Sequence, residues 1–443
     1  EQNDKKLIFA KSRLEEMKTE LDDFKIIDSK MGSEFAGMKY DPLWDFQQNS
    51  EQGAHLVLAD NYVTADDGSG IVHLALYGED DFRLIRKNNI PMVQNVDING
   101  VIKSLVVPFA GRFFGEDGLD VDILKNLQEK GLLFAKLKIK HSYPHCYRCD
   151  TPLMYFAKKG WFIKTSSIKE QMLEANNDIK WYPNHIKNGR FGKWLENNVD
   201  WAVSRERFWG SPLPIWTCSG CGEQVCFESL SELSSALSEP LSTEFDPHKP
   251  QIDKIEFDCK KCGDKMSHEP EVLDPWFNAG IMPWGQWGYP AVNGSDENLD
   301  QQFPADFICE AIDQTRGWFY TMVATSTFLT GKSSFKNVIC TEHVLDDNGM
   351  KMSKSRGNIV DSNQVCEKFG ADAVRWNFYS TNPWTVRRFK EDDVREVLKQ
   401  VLIPYWNSYS FLVTYLLVDN WKPITTDERS SRPLDNWILS RFE

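Results

Sequence analysis

Lys351-Met352-Ser353-Lys354-Ser355 follows a turn signal, Asp347-Asn348-Gly349, and precedes Gly357-Asn358. Two lysines three positions apart on a loop can place two ammonium groups against a polyphosphate. There they would stabilise the charge that develops when pyrophosphate leaves. Runs of lysine and serine are also common on solvated loops that bind nothing, so the spacing alone leaves both interpretations open.

The segments around this loop predict an α/β fold. Phe307-Ile308-Cys309-Glu310 and Asn337-Val338-Ile339-Cys340-Thr341 have the composition of short strands, and the segment from about 315 to 330 has that of a helix. Strands that alternate with helices favour a parallel sheet, and the second strand leads towards the lysine loop. From about 391 to the end the pattern is helical.

The first third of the chain has a different pattern. Residues 5–22 predict an amphipathic helix, residues 54–110 predict short strands, and residues 119–132 predict a second helix that ends at Gly131. The helix is predicted from apolar residues at helical spacing: Leu7, Ala10, Leu14, Met17 and Leu21. The predicted strands are separated by two turn signals, Asp66-Asp67-Gly68 and Asn99-Gly100. We therefore expect a mixed, strand-rich domain here.

Length, charge and cysteine content narrow the class of protein. A chain of 443 residues predicts two to four domains, and a net charge of −14 argues against a dedicated basic nucleic-acid module. By inspection, no apolar run approaches the ~20 residues of a membrane span, and the N-terminus has no secretory pattern. Ten cysteines, six of them in C-x-x-C pairs, indicate metal ligands in a reducing compartment. We expect a cytoplasmic protein with no membrane partner.

Two cysteine knuckles predict a structural zinc site. Cys218-Ser-Gly-Cys221-Gly222 and Cys259-Lys-Lys-Cys262-Gly263 each present two thiolates, and the trailing glycine permits a tight turn. Four thiolates form the tetrahedral site that zinc prefers; the alternative is four unrelated buried cysteines. Cys146-Tyr-Arg-Cys149 lacks the glycine and a matching pair. It is either a zinc site completed by ligands outside this chain or an idle pair.

Taken together, the motifs resemble those of isoleucyl-tRNA synthetases, which are class I aminoacyl-tRNA synthetases. The lysine loop matches the class I signature letter for letter. Further stretches resemble the isoleucyl family in the same order: Gly70-Ile-Val-His73 with Gly78-Glu-Asp-Asp81-Phe82, His141 to Cys149, Ser204-Arg-Glu-Arg-Phe-Trp-Gly210, Asp274-Pro-Trp-Phe-Asn-Ala-Gly280, and Glu310-Ala-Ile-Asp-Gln-Thr-Arg-Gly-Trp-Phe319. The valyl family is the second choice, because it lacks the last of these segments.

The resemblance implies an ATP-dependent reaction that charges isoleucine tRNA. Glu310 and Asp313 would hydrogen-bond the adenylate, since carboxylates suit an ammonium group and ribose hydroxyls. Lys354 would contact the ATP phosphates, with Lys351 in support and Met352 near the adenine. Magnesium would accompany the ATP, and isoleucine tRNA, ATP and L-isoleucine would be the partners of an enzyme that we expect to be a monomer.

The resemblance also implies a selective pocket and an editing site. Gln314, Trp318 and Trp276 would wall the isoleucine side-chain pocket, although plain core packing is an alternative for the tryptophans. One methylene is worth only ~1–3 kcal/mol in such a pocket, a limit for which the isoleucyl enzyme is itself the standard example, so valine is misactivated. Asp81 would bind the α-amino group of mischarged valine, and His73 would line the editing pocket.

Class I synthetases divide their ATP site between the lysine loop and a His-x-Gly-His motif. No pair among the eight histidines has that spacing. We therefore expect a fragment that lacks this N-terminal motif and cannot activate isoleucine alone. The alternatives are a non-catalytic, synthetase-derived protein that binds tRNA or another partner, and a zinc-ribbon scaffold.

This interpretation divides the chain into four parts. Residues 1–165 would form part of the editing insertion, and residues 166–345 the second half of the Rossmann domain with a zinc-knuckle insertion at 217–269. Residues 346–390 would form a stem-contact region that carries the lysine loop. Residues 391–443 would begin the helical anticodon-binding domain.

Overall fold

The computed structural model describes residues 6–15, 17, 24–44, 46, 53–65, 68–136, 142–146, 149–422 and 430–442. The chain divides into two compact units, Glu1–Lys159 and Gly160–Glu443. The division lies six residues before the boundary that the sequence predicted at 165.

The described residues of the first unit include helices α1 (Glu79–Lys87) and α2 (Leu119–Glu129) and short 3-10 turns at Lys11–Arg13 and Gly32–Phe35. Helix α2 confirms the predicted second helix, and Gly131 beyond its end adopts a φ of +68° that a side chain would disfavour. A small apolar core holds the unit together: Val96, Ile102, Val106, Phe109 and Leu119, with Trp44 and Phe46 packed against it.

The predicted helix at residues 5–22 is wrong over its described part. Ala10 is extended, with φ −63° and ψ 135°, and its N–H donates to the carbonyl of Ser69 at 2.8 Å. An N–H that is bonded to a distant segment cannot join an i→i−4 ladder. Among residues 6–15 and 17, the 3-10 turn Lys11–Arg13 forms, and one i→i−4 bond runs from the N–H of Met17 to the carbonyl of Arg13 at 3.0 Å. Leu21 lies outside the described residues.

The predicted strand-rich character of residues 54–110 is also wrong. In the described part of this unit, strand pairing is limited to isolated bridges, such as Lys39 with Leu56 and Val96 with Ile102. The composition predicted strands, but strand propensity produces a ladder only where a second strand lies alongside in register. Turn residues Asp66 and Asp67 lie outside the described residues.

The second unit carries all the named strands among the described residues. The strands are β1 (Phe162–Ile163), β2 (Lys180–Tyr182), β3 (Trp201–Ala202), β4 (Ser204–Arg205), β5 (Ile215–Cys218), β6 (Gln224–Cys226), β7 (Glu256–Asp258), β8 (Lys265–His268), β9 (Val272–Leu273), β10 (Ile308–Ala311), β11 (Asn337–Thr341), β12 (Val344–Leu345) and β13 (Arg387–Arg388). The helices are α3 (Lys169–Asp178), α4 (Gly192–Glu196), α5 (Leu230–Ala236), α6 (Pro275–Gly280), α7 (Met282–Gly285), α8 (Ser295–Gln302), α9 (Trp318–Thr330), α10 (Ser362–Phe369), α11 (Ala371–Tyr379), α12 (Glu391–Val397), α13 (Ile403–Val418) and α14 (Pro433–Phe442).

A parallel sheet forms the centre of this unit and confirms the predicted α/β class. Its strand order is β10-β11-β2, with Ile308 opposite Val338 and Val338 opposite Trp181. Helix α9 is apolar on most faces and is buried over nine consecutive residues from Phe319 to Thr327. The core beneath it includes Met172, Ile179, Phe191, Leu195, Phe335 and Cys340.

An antiparallel ribbon with strand order β6-β5-β8-β7 occupies the predicted insertion. Its own small core contains Trp216, Phe227, Leu233, Ile252 and Met266. The indole N–H of Trp216 donates to the carbonyl of Ile255 at 2.9 Å, which satisfies the one polar group of this buried side chain.

The C-terminal part is helical, as predicted. Strands β12 and β13 pair in parallel, and helices α10 to α12 surround a cluster formed by Val365, Phe369, Ala373, Phe389 and Val394.

Helices α12 and α13 belong to one continuous helical segment of 28 residues, Glu391–Val418. This segment is long and apolar enough to span a membrane, so the expectation that no segment meets that requirement is wrong by length and composition. One such helix is weak support for a membrane segment, since helices of soluble proteins can share its composition.

Candidate functional site

The carboxyl ends of β10 and β11 lie at the same edge of the parallel sheet. Glu310 is opposite Cys340, and Ala311 is opposite Thr341. A tight turn, Ile312–Arg316, follows β10, while β11 leads to β12 and the lysine loop. Ligands of open α/β sheets bind beyond this edge, so the topology brings the predicted adenylate segment and the base of the lysine loop to the expected place.

Both predicted adenylate ligands are accessible at this edge. Glu310 and Asp313 are exposed. The amide of Gln314 donates from Nε2 to Asp313 Oδ2 at 3.1 Å, which orients that carboxylate while leaving its second oxygen available. The adenylate contact itself stays a prediction.

The three residues of the predicted amino-acid pocket come together around Gly317. Gln314 Oε1 accepts the backbone N–H of Trp318 at 3.0 Å, and the Trp318 indole donates to the carbonyl of Ala279 at 3.1 Å. A Cβ placed at Gly317 would lie 2.6 Å from Gln314 Oε1 and 3.3 Å from Trp276 Cη2. Trp276 remains 42% exposed, so part of this residue is accessible to a ligand.

The lysine loop presents both of its lysines to solvent. Lys351 and Lys354 are exposed, and Lys351 forms an isolated antiparallel bridge with Leu345. A 3-10 turn, Lys354–Arg356, follows, and the Ser353 hydroxyl caps it by accepting the N–H of Arg356 at 3.3 Å. Met352 packs against the helical cluster of the C-terminal part, and its predicted contact with adenine is untested.

The four cysteines of the two knuckles converge. Their Sγ atoms all lie within 4.8 Å of one another, with Cys218 to Cys262 at 3.4 Å and Cys221 to Cys259 at 3.8 Å. A tetrahedral zinc ion with Zn–S bonds of about 2.3 Å places its sulfurs about 3.8 Å apart, so the arrangement fits zinc. The backbone N–H of Cys221 lowers the pKa of Cys218 to about 6, which favours its thiolate. The pKa of Cys262 is raised to about 12, because the N–H of Asp264 lowers it less than the neighbouring thiols and burial together raise it, so the support for a metal site comes from the sulfur positions.

Cys146 and Cys149 remain a pair. Among the described residues, the only group of three or more metal-ligating side chains is the four-cysteine cluster. Thr151 lies 3.2 Å from Cys149 Sγ, and its hydroxyl lowers the pKa of that thiol. His141, Tyr147 and Arg148 of the same motif lie outside the described residues.

In the first unit, the fold engages both oxygens of Asp81. Asp81 lies in the first turn of α1, where Oδ1 accepts from the hydroxyl of Tyr62 at 2.9 Å and Oδ2 accepts from the N–H of Ala75 at 3.1 Å. Burial and this hydrogen bond raise the pKa of Tyr62 to about 12. His73 is exposed and meets the ring of Tyr40 edge-on, with centroids 6.5 Å apart.

Residues 4–389 match the family described as tRNA synthetases class I (I, L, M and V). The chain belongs to this family. It is 44% identical to an isoleucine–tRNA ligase of Dehalococcoides mccartyi strain CBDB1 over 98% of this chain and 44% of the relative. It is also 44% identical to an isoleucine–tRNA ligase of Clostridium novyi strain NT, over 100% of this chain and 42% of the relative. The class I synthetase chain therefore spans less than half the length of these relatives.

A comparison with solved structures matches this chain to the Mycobacterium tuberculosis methionyl-tRNA synthetase in complex with methionyl-adenylate. It shares 16% sequence identity with this class I synthetase and has a TM-score of 0.45. The match covers 68% of this chain and 49% of that one.

Sequence reasoning did not assign roles to several residues that hold the site of this class I synthetase together. Asp274 caps α6 by accepting the N–H of Trp276 at 3.1 Å, and it also accepts from Trp201 Nε1 at 3.2 Å. The Asp-Pro pair before a helix is a capping signal that could have revealed the first role. Nothing local predicts the second, because the two residues are 73 positions apart.

Proposed function

We propose that this chain is part of an isoleucyl-tRNA synthetase. The enzyme would activate isoleucine with ATP and transfer it to isoleucine tRNA. The observation that carries the proposal is the convergence of Gln314, Trp276 and Trp318 around Gly317, at the sheet edge from which the lysine loop emerges. Curated relatives named isoleucine–tRNA ligase, with 44% identity across the chain, support the same substrate.

The proposed chemistry requires no nucleophile from the protein. The isoleucine carboxylate attacks the α-phosphorus of ATP; a bond forms between a carboxylate oxygen and that phosphorus, the bond from that phosphorus to the oxygen that bridges it to the β-phosphorus breaks, and pyrophosphate leaves. Magnesium that accompanies ATP would neutralise part of the phosphate charge. Lys354, with Lys351, would stabilise the charge on the departing phosphates, while Glu310 and Asp313 would orient the adenylate. The terminal ribose hydroxyl of the tRNA then takes the aminoacyl group and releases AMP.

We further propose that the four-cysteine cluster holds one structural zinc ion. The ribbon has only a small apolar core, so a tetrathiolate ion would supply much of its stability. The ion would lie in the ribbon insertion, and no step of the proposed reaction uses it. A cytoplasmic location completes the proposal, on the strength of the free cysteines, and the monomeric state stays an expectation from the family resemblance.

Hydrolysis of mischarged valine is proposed for the first unit. Asp81 is held by Tyr62 and the N–H of Ala75, so its carboxylate has a fixed direction in which to meet an α-ammonium group. His73 is exposed in the same unit and could line the pocket.

Isoleucine-dependent ATP–pyrophosphate exchange by the full-length protein tests the proposal. We expect exchange in the wild type and a loss of at least about a hundredfold in Lys354→Ala and in Glu310→Ala. Lys169→Ala, which removes a half-buried lysine paired with the exposed Glu170 at 3.8 Å, is the control. Exchange driven by valine but not isoleucine would favour a valyl enzyme, and complete inactivity would favour a non-catalytic binding protein.

A further inference from the structure

We propose that Asn358 is a positioning residue for the lysine loop, and that it acts with Asp346 to fix the backbone from which Lys354 projects. The inference rests on the proposed function, because it gives that reaction a further determinant. Asn358 lies outside the five-residue lysine segment, and its side chain contacts Lys351 and Ser353 within that segment and Asp346 before it.

The amide of Asn358 makes three hydrogen bonds to this segment and its base. Nδ2 donates to Asp346 Oδ2 at 2.8 Å and to the carbonyl of Lys351 at 3.2 Å. Oδ1 accepts the N–H of Ser353 at 2.9 Å. A side chain here must donate on one side and accept on the other, which an amide does and a carboxylate does not.

Asp346 closes the turn before the loop and supplies the acceptor. Its Oδ1 accepts the N–H of Met350 at 2.7 Å, its backbone N–H donates to the carbonyl of Met350 at 2.9 Å, and its carbonyl accepts the N–H of Gly349 at 2.9 Å. The turn is therefore closed by its own hydrogen bonds, and the second carboxylate oxygen is free to bind Asn358. The hydrogen bond between Asp346 and Asn358 therefore links the chain before the lysine segment to the chain after it.

This arrangement fixes the residue immediately before Lys354. Ser353 is held through its N–H by Asn358, and its hydroxyl caps the turn that starts at Lys354. The carbonyl of Lys354 accepts the N–H of Gly357 at 3.2 Å, so the backbone is set on both sides while the ammonium group faces solvent. Preorganisation of this kind lowers the entropy lost when a lysine meets its phosphate.

An exchange of donor and acceptor tests the proposal in the full-length enzyme. Asn358→Asp opposes two carboxylates, and we expect the KM for ATP to rise by about tenfold or more while the KM for isoleucine changes by less than about twofold. In Asp346→Asn/Asn358→Asp the new amide at 346 can donate to the new carboxylate at 358. We expect this double variant to recover most of the loss, although the bond to the Lys351 carbonyl stays broken. Asn363→Asp, an exposed asparagine on α10, should behave as wild type.

Tryptic cleavage of the loop in the same variants provides a readout that does not need activity. We expect cleavage after Lys351 and Lys354 to accelerate about tenfold in Asn358→Asp and to return towards the wild-type rate in the double variant. Wild-type cleavage and wild-type KM for ATP in Asn358→Asp would overturn the positioning role, as would a loss that the double variant does not reduce. An inactive wild-type enzyme would instead contradict the proposed function, and the cleavage rates would still decide the role of Asn358.

Discussion

The guanidinium of Arg205 donates to the carboxylate of Asp274 at 2.6 Å, and it thereby joins two segments that are 69 residues apart in the chain. The Asp274 side chain is only 4% exposed. The same carboxylate accepts from Trp201 and caps the helix that carries Trp276. The position of a proposed pocket wall therefore depends on an ion pair outside the pocket.

Replacement of Asp274 by alanine should destabilise the protein and disturb the pocket. The variant loses a helix cap and removes an acceptor from the half-buried side chains of Trp201 and Arg205, so we expect the free energy of unfolding to fall by about 2 kcal/mol. Denaturant unfolding measures this change, and the KM for isoleucine should rise in parallel. Asp300→Ala, on the exposed face of α8, is the control and should alter neither quantity.

Gly317→Ala should impair amino-acid binding with little effect on ATP binding. The new methyl group would lie 2.6 Å from Gln314 Oε1 and would push Gln314 or Trp276 out of place. We expect the KM for isoleucine in pyrophosphate exchange to rise by about tenfold or more. Gly32→Ala meets nothing within 4 Å and should be neutral. An unchanged KM in Gly317→Ala would contradict the assignment of this pocket.

Cys262→Ser should remove the proposed zinc ion. Elemental analysis of the wild type should find one zinc per four-cysteine cluster, and the variant should retain less than about a tenth of it. Loss of the metal should also loosen the ribbon, which faster amide hydrogen exchange in β5 and β8 would report. Cys226→Ser is a matched control, because Cys226 lies on β6 of the same ribbon but outside the cluster. Equal zinc content in both variants would exclude the site.

The carboxyl group of Asp346 should titrate below its usual pKa of 3.8, chiefly because Asn358 donates to it and secondly because the N–H of Met350 does. A pKa that is lower in the folded than in the unfolded state stabilises the fold above the unfolded value. This contribution is lost as the pH falls through the folded value, so the loop anchor should fail only below about pH 4. An NMR titration should find the pKa of Asp346 raised towards 3.8 in Asn358→Ala and unchanged in Asn363→Ala.

Editing should depend on Asp81 and, to a smaller degree, on Tyr62. We expect hydrolysis of valine-charged tRNA by the full-length enzyme to disappear in Asp81→Ala. Tyr62→Phe removes the hydroxyl that orients Asp81, so hydrolysis should slow by about five- to tenfold. Asp80→Ala, at the neighbouring exposed position, should keep full hydrolysis. Equal rates in the Asp80 and Asp81 variants would remove Asp81 from the site.

The local sequence pattern was sufficient to predict elements whose burial and hydrogen bonds depend on residues close together in the chain. Strands β10 and β11 and helix α9 were predicted because an apolar composition between clear breakers leaves few alternatives. The convergence of the four cysteines was predictable because each knuckle supplies two of the four thiolates that a tetrahedral zinc site needs. The roles of Lys354, Glu310 and Asp81 remain predictions, although the structure places Glu310 and Lys354 on segments that leave the same sheet edge.

The failures have a common physical cause. Residues 5–22 have helical periodicity, but Ala10 bonds to Ser69 instead, and a sequence window cannot contain that partner. The same limit applies to Arg205 with Asp274 and to Asn358 with Asp346, whose pairing depends on tertiary structure. Residues 54–110 have strand composition, yet strand composition does not supply a neighbouring strand.

The two knuckles are joined by a long segment, since Cys221 and Cys259 are 38 residues apart. Closing a flexible loop of that length costs about 3 kcal/mol of chain entropy. An ion that is bound first by one knuckle would keep two coordination positions open for the second knuckle. Binding of the second knuckle to this ion would then be an intramolecular step. The ribbon would then fold only after one knuckle has bound the ion. A shortage of zinc would therefore slow folding, and it would also lower the stability of the folded ribbon.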